Sequence, residues 1–248
     1  MKKIIQNLFN KIGYRISRLP TNLKIPYEAN DFQKIIIKEC NNLTSTGSIR
    51  MFGLLKAIEH VCLNNIKGEI VECGVCEGGN IILAQKYLNK LNSNKSIYGF
   101  DTFAGMTEPT KEDVDNDNNS QTKIWKKNLK ANGICDWAYC SIEDVRKNIS
   151  SLVSKNKIKL IKGKVEHTLL IEENIPQEIS ILRLDTDWYE STKIELEILY
   201  PRLSNGGFLI IDDYGEFSGC RKAVDDFFKN KKHYLHYIDS SSRLLIKP

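Results

Sequence analysis

Two kinds of segment alternate from residue 69 to residue 230, and that alternation constrains the fold more than any other feature. Short runs rich in apolar and β-branched residues read as strands: EIVECG (69–74), SIYGFD (96–101), KIKLIKG (157–163), ISILRLD (179–185) and GGFLIIDD (206–213). Between them, apolar residues recur three and four apart at about 80–91, 141–155, 192–201 and 220–230, the spacing of helices. A further helix is expected over RMFGLLKAIEHVCLN (50–64), and HYLHYID and SRLLIKP read as a closing pair of strands. Strand–helix alternation predicts an α/β fold with an open, mostly parallel sheet and helices on both faces.

Ligands of such sheets sit outside the carboxyl ends of the strands. The unusual residues of this chain collect there. Gly74, Gly78 and Gly79 follow the first strand and permit a sharp turn close to a ligand, with a helix N-terminus beside it. Their spacing, G-x-x-x-G-G, is not the dinucleotide fingerprint and argues against NAD; a purely structural turn is the alternative. Asp101 ends the second strand, where nucleotide-binding folds place the acid that receives a ribose diol; a turn or capping role is the alternative. Two acidic pairs end later strands, Asp185 with Asp187 and Asp212 with Asp213. Asp187 or Asp213 could cap the helix that follows, and Arg183 or Arg221 could neutralise one carboxylate. Four carboxylates on adjacent strand ends repel one another, however, and a hard divalent cation with oxygen ligands, Mg²⁺ above all, relieves that repulsion.

The 248 residues suffice for one large α/β domain or two small ones. The net charge of +5 is scattered, with no basic stripe and no interleaved aromatics, so no nucleic acid partner is expected. Seven cysteines, an odd number placed partly in apolar segments, suit a reduced, cytoplasmic protein. Cys73 and Cys76 lack the second pair that a zinc site needs. No run of 18 apolar residues exists, and the N-terminus has no signal-peptide pattern. Ile4, Ile5, Leu8, Phe9, Ile12 and Ile16 recur at helical spacing among basic residues. That helix is expected to pack on its own domain or a second subunit, with weak membrane contact through residues 1–19 as the alternative. Residues 107–122 are acidic, Asn-rich and poor in apolar side chains, so they are expected to form a loop, either a lid or a plain one. Asn118 and Ile124 stand where a calcium loop needs glycine and glutamate, which excludes that motif. His167 is expected at the surface.

The segments GEIVECGVCEGGN, YGFDTFAGM, LRLDTDWYEST and LYPRLSNGGFLIIDDYGEFSGCRKAVDDF together resemble the macrocin O-methyltransferase (TylF-like) family of class I S-adenosylmethionine-dependent methyltransferases, in order over roughly residues 50–230. The resemblance implies a Rossmann-like sheet of seven strands with the last antiparallel. It implies a methyltransferase domain over 50–248 behind an N-terminal helical extension over 1–49. It assigns S-adenosylmethionine to Glu72, Gly74, Gly78, Gly79, Asp101 and Glu166, Mg²⁺ to Asp185, Asp212 and Asp213, and the general base to Asp187. The acceptor it implies is a sugar hydroxyl on a small molecule or glycan, and a homodimer or larger homo-oligomer is expected. Trp188 stands where the small catechol methyltransferases use lysine. His167 and Leu170 replace the family's usual aspartate and Leu-Pro around Glu166, and Thr186 stands where the family often has glycine. The alternatives are a non-catalytic binding protein of the same fold and a methyltransferase for a non-sugar hydroxyl.

Overall fold

A computed structural model describes residues 23–153 and 157–248. The helix expected near the N-terminus, with its packing or membrane contact, lies outside the described residues. Strands form where the sequence turns apolar on both faces. β4 (Ile179–Leu184) has all six residues buried, as a central parallel strand must. Its neighbours are β1 (Glu69–Cys73) and β5 (Leu203–Ile211), followed outward by β2 (Ile97–Asp101) and β3 (Ile158–Lys162) on one side. The sheet order is β3-β2-β1-β4-β5-β7-β6. β1 to β5 are parallel, and β7 (Arg243–Ile246) runs antiparallel between β5 and the short β6 (His236–Tyr237). The expected seven-stranded, mostly parallel sheet with its last strand antiparallel is therefore present.

Successive strand residues point to opposite faces, and each face has its own core. Ile70, Ile97, Ile181 and Phe208 pack under α1 (Asp31–Cys40), α2 (Ser48–Leu63) and α3 (Gly79–Lys90). Short α4 (Thr122–Asn128) carries no buried residue, whereas α5 (Ile142–Leu152) adds Val145 and Ile149 to the same core. Val71, Phe100, Leu182 and Leu209 face α6 (Val165–Thr168), α7 (Tyr189–Leu199) and α8 (Ser218–Phe228).

α1 lies within the expected N-terminal helical extension of residues 1–49, in a stretch where no individual helix was singled out. Asn30 and Gln33 form a reciprocal capping box at its start, and Ile36, Ile37 and Cys40 bury one face. This helix shares its core with α2 and α3, so packing is continuous across residues 49 and 50. All seven cysteines are free thiols. Among the described residues no helix is long and apolar enough to cross a membrane.

Candidate active site

The strand registers align the site. Cys73 pairs with Phe100 and with Leu184, and Leu184 pairs with Ile211. The next residue of each strand end, Gly74, Asp101, Asp185 and Asp212, therefore emerges in one row at the carboxyl edge. β1 and β4 are neighbours there although β2 and β3 extend the sheet the other way, which makes this the crevice where open α/β sheets bind ligands. A cavity of about 350 Å³ lies over the row.

On the β1 side, Gly74 lines the cavity with φ 89°; a Cβ there would fall 1.9 Å from the Asp185 carbonyl oxygen. Gly78 and Gly79 stand behind the wall. A Cβ on Gly79 would meet the Leu43 carbonyl oxygen at 2.5 Å, so this glycine lets α3 pack against the segment before α2. Asp101 lines the cavity and also braces the turn: its carboxylate accepts from the backbone N–H of Val75 (2.8 Å), Cys76 (3.0 Å) and Phe103 (2.6 Å). Burial raises its pKa against the pull of those three donors. Glu166 lines the cavity too, and its Oε2 is buried without a partner, so a ligand donor would satisfy it. Glu72 is not in the wall. Its carboxylate is 2.7 Å from Arg183, behind the row, where burial pushes its pKa up to about 7. His167 is exposed, as expected.

The acidic centre is organised by two arginines. Arg183, buried in β4, reaches Glu72 (2.7 Å), Asp185 (2.7 Å), Asp212 Oδ1 (2.8 Å) and the Thr46 hydroxyl (2.8 Å). Burial alone would favour losing its proton, but Asp185, Asp212 and Glu72 hold it on. Arg50 from α2 takes the other oxygen of Asp212 and pairs with Asp239. Arg221 serves none of these acids; it donates to the Tyr214 carbonyl oxygen. Asp212 is thus fully engaged by cations, whereas Asp187 and Asp213 pair with no lysine, arginine or histidine among the described residues. One oxygen each of Asp185, Asp187 and Asp213 lies within 4.8 Å of the others, and Asp213 Oδ2 is buried without a partner. Burial pushes Asp187 up to about 6 and raises Asp213 well above the carboxylate range, with the Asp187 charge adding to the latter. An all-oxygen cluster in which two of three carboxylates lack a cationic partner fits a hard divalent cation. The structure brings together two of the three expected ligands with the expected base, and holds Asp212 aside.

Aromatic side chains close the end of the cavity beyond the acidic centre. Trp137 and Phe217 line the cavity and stack edgewise on the buried Trp188 at 5.6 and 5.2 Å. Trp188 donates to the Thr107 carbonyl oxygen (3.0 Å). The 107–122 segment is a loop up to α4, but it is tied down. Asp113 in it is fully buried and accepts from the Tyr189 N–H (2.8 Å) and from Thr110. Arg50, Trp137 and Asp113 lie outside the motifs, and nothing local in the sequence singles them out.

The profile of the Macrocin-O-methyltransferase (TylF) family matches residues 37–242. The demethyldecarbamoylnovobiocin O-methyltransferase of Streptomyces niveus is 29% identical over 190 residues, spanning 75% of this chain and 68% of that protein. An 8-demethyl-8-(2,3-dimethoxy-alpha-L-rhamnosyl)-tetracenomycin-C 4'-O-methyltransferase of Streptomyces olivaceus is 32% identical over 187 residues, covering 74% and 67% respectively. Among solved structures, the O-methyltransferase NovP is 28% identical and superposes with a TM-score of 0.70 over 83% of this chain and 82% of that one.

Proposed function

The chain belongs to the macrocin O-methyltransferase family of S-adenosylmethionine-dependent enzymes, and from that premise we propose that it methylates a hydroxyl of a sugar, with Mg²⁺ held at the acidic centre. The observation that carries the metal reading is the convergence of Asp185, Asp187 and Asp213 oxygens in the cavity, two of them on side chains without a cationic partner. The sugar reading is supported by the acceptors that two relatives' names give, a rhamnosyl tetracenomycin and mycinamicin III.

S-adenosylmethionine supplies an activated methyl group, and a divalent cation supplies positive charge that lowers the pKa of an oxygen acid. The rest falls to side chains. Gly74, Asp101 and Glu166 form the cofactor wall. Asp187 is the general base: it borders the cavity and is not neutralised by an arginine, so a free oxygen accepts the acceptor's proton. Trp137 and Phe217 offer apolar faces that orient the acceptor and exclude water.

Asp185 and Asp213 are ligands in our reading. The third is Asp187 by the convergence of oxygens or Asp212 by the family resemblance. Calorimetry of Mg²⁺ binding separates these: unchanged affinity in Asp212→Asn selects Asp187, and lost affinity selects Asp212. Function is tested by methyl transfer from S-adenosylmethionine to a panel of glycosides and nucleotide sugars, with Mg²⁺ or with EDTA. Methylation of a sugar hydroxyl, abolished by EDTA and restored by Mg²⁺, is expected. Undiminished transfer in EDTA removes the metal from the reaction, and transfer only to non-sugar hydroxyls removes the sugar.

A further inference from the structure

Asp187 has a strained backbone. Its φ is +67°, and the Trp188 N–H donates to the Thr186 carbonyl oxygen across it at 2.8 Å, closing a three-residue turn of the rare positive-φ kind. Non-glycine residues persist in such a conformation only where the surroundings over-determine it. Here the surroundings converge on Thr186. Its carbonyl oxygen also accepts from the Ser191 hydroxyl (3.3 Å), and its own hydroxyl donates to Glu195, at 2.9 Å from one carboxyl oxygen and 3.2 Å from the other. Glu195 sits one turn or more into α7, is 0% exposed, and has no cationic partner among the described residues. Its place is fixed by the core, with Leu196 and Leu199 beside it in the chain equally buried.

We infer that Glu195 is a positioning residue: by anchoring the Thr186 hydroxyl it locks the turn that presents Asp187 to the acidic centre. A β-branched side chain is already stiff about its first torsion, and a hydrogen bond to an immovable carboxyl removes the freedom left. Glycine at 186 could not make this bond. The pair ties the orientation of the active-site carboxylate to the buried face of α7, so the aspartate does not rely on the turn alone.

The inference rests on the reading that Asp187 lends an oxygen to the cation, and Mn²⁺ binding followed by electron paramagnetic resonance tests it without any acceptor. Groups that orient metal ligands typically change affinity about 10–100-fold when removed, and Thr186→Val is expected to weaken Mn²⁺ by that order while S-adenosylhomocysteine binds as before. Thr186→Ser and Glu195→Gln, which keep a donor and an acceptor respectively, should stay near wild type. Thr186 is only half-buried, so its variants fold even where a change at Glu195 does not. If Asp187→Asn weakens Mn²⁺ but Thr186→Val does not, the positioning role is overturned and the metal reading stands. If Asp187→Asn also leaves the affinity intact, Asp187 is not a ligand and this inference fails while a site built on Asp212 stands; if the wild-type protein binds no Mn²⁺, the metal reading fails and this inference with it.

Discussion

Arg183, 3% exposed, faces three carboxylates and a threonine hydroxyl from the carboxyl end of β4. A buried cation with this many partners acts less as a source of net stability than as a fixture: the gain from pairing is offset by desolvation, while removing one side leaves the other charged and unmatched. Arg183→Met should therefore destabilise the protein by about 3–5 kcal/mol, the usual consequence of breaking a buried pair. Urea denaturation measures it. A loss under about 1 kcal/mol, the range of an exposed pair, would mean that Glu72, Asp185 and Asp212 are neutralised without the arginine. The same contacts explain why Glu72, two residues before the glycine turn, faces away from the cavity: Arg183 is the partner that its burial requires.

Among the elements, α7 and α8 hold the 107–121 loop in place through their N-termini. α7 begins at Tyr189 with no cap from its own flanking residue; the carboxylate of Asp113 accepts the Tyr189 N–H instead. At α8, the Ser218 N–H donates to the Val114 carbonyl oxygen, and the Ser218 hydroxyl accepts from the Val114 N–H at 3.1 Å. Gly219 is required by this docking, because a Cβ there would fall 1.8 Å from Asp113 Oδ1. A carboxylate at a helix N-terminus satisfies an orphan donor and the helix dipole together. Asp113→Ala should cost about 0.5–2 kcal/mol, the range for a lost cap, and should speed hydrogen exchange across residues 107–121. Unchanged exchange there would show that Trp125, whose Nε1 donates to the Met106 carbonyl oxygen, and the Ser218 contacts suffice to hold the loop.

At the scale of the molecule, the buried acids couple stability to pH and, in the proposed reading, to metal. Burial raises Asp187 to about 6, and it raises Glu72 to about 7 although Arg183 pulls the other way. A carboxyl whose folded pKa lies above its unfolded value favours folding fully below the unfolded value, and that contribution is lost as pH rises through the folded one. Without divalent metal, the melting temperature should thus fall as pH rises from about 5 to about 8, the window that these two groups span. Asp115 and Glu172, whose hydrogen-bond partners hold them below the usual carboxylate range, add stability that is lost only under more acid conditions. Metal ligands must be deprotonated, so Mg²⁺ should raise the melting temperature clearly at the upper end of the window and little at the lower end. Thermal scans with Mg²⁺ and with EDTA at both ends test this, and an equal effect of Mg²⁺ at both would remove the carboxylates as its site.

Local pattern determined the sheet, because strand and helix periods are written residue by residue and a parallel sheet with crossover helices is the arrangement that buries both. The acids at the strand ends were legible for the same reason: a charged residue closing an apolar run marks where the chain leaves the core. α1 was not singled out, although the Asn30 and Gln33 pair and Ile36, Ile37 and Cys40 behind it carry its signal, because the polar residues around them mask the pattern. What each acid does was decided by tertiary contacts between residues far apart in the chain. Asp212 and Asp213 are adjacent and chemically identical, yet Arg50 and Arg183 engage the first and leave the second with an unpartnered oxygen. Gly74 and Gly79 belong to one turn, yet one faces the cavity and the other faces the backbone at Leu43. Sequence spacing carries the direction of a side chain along its own strand, but not the charge that stands across from it; that is set by the register of β1, β4 and β5 and by the helices packed over them.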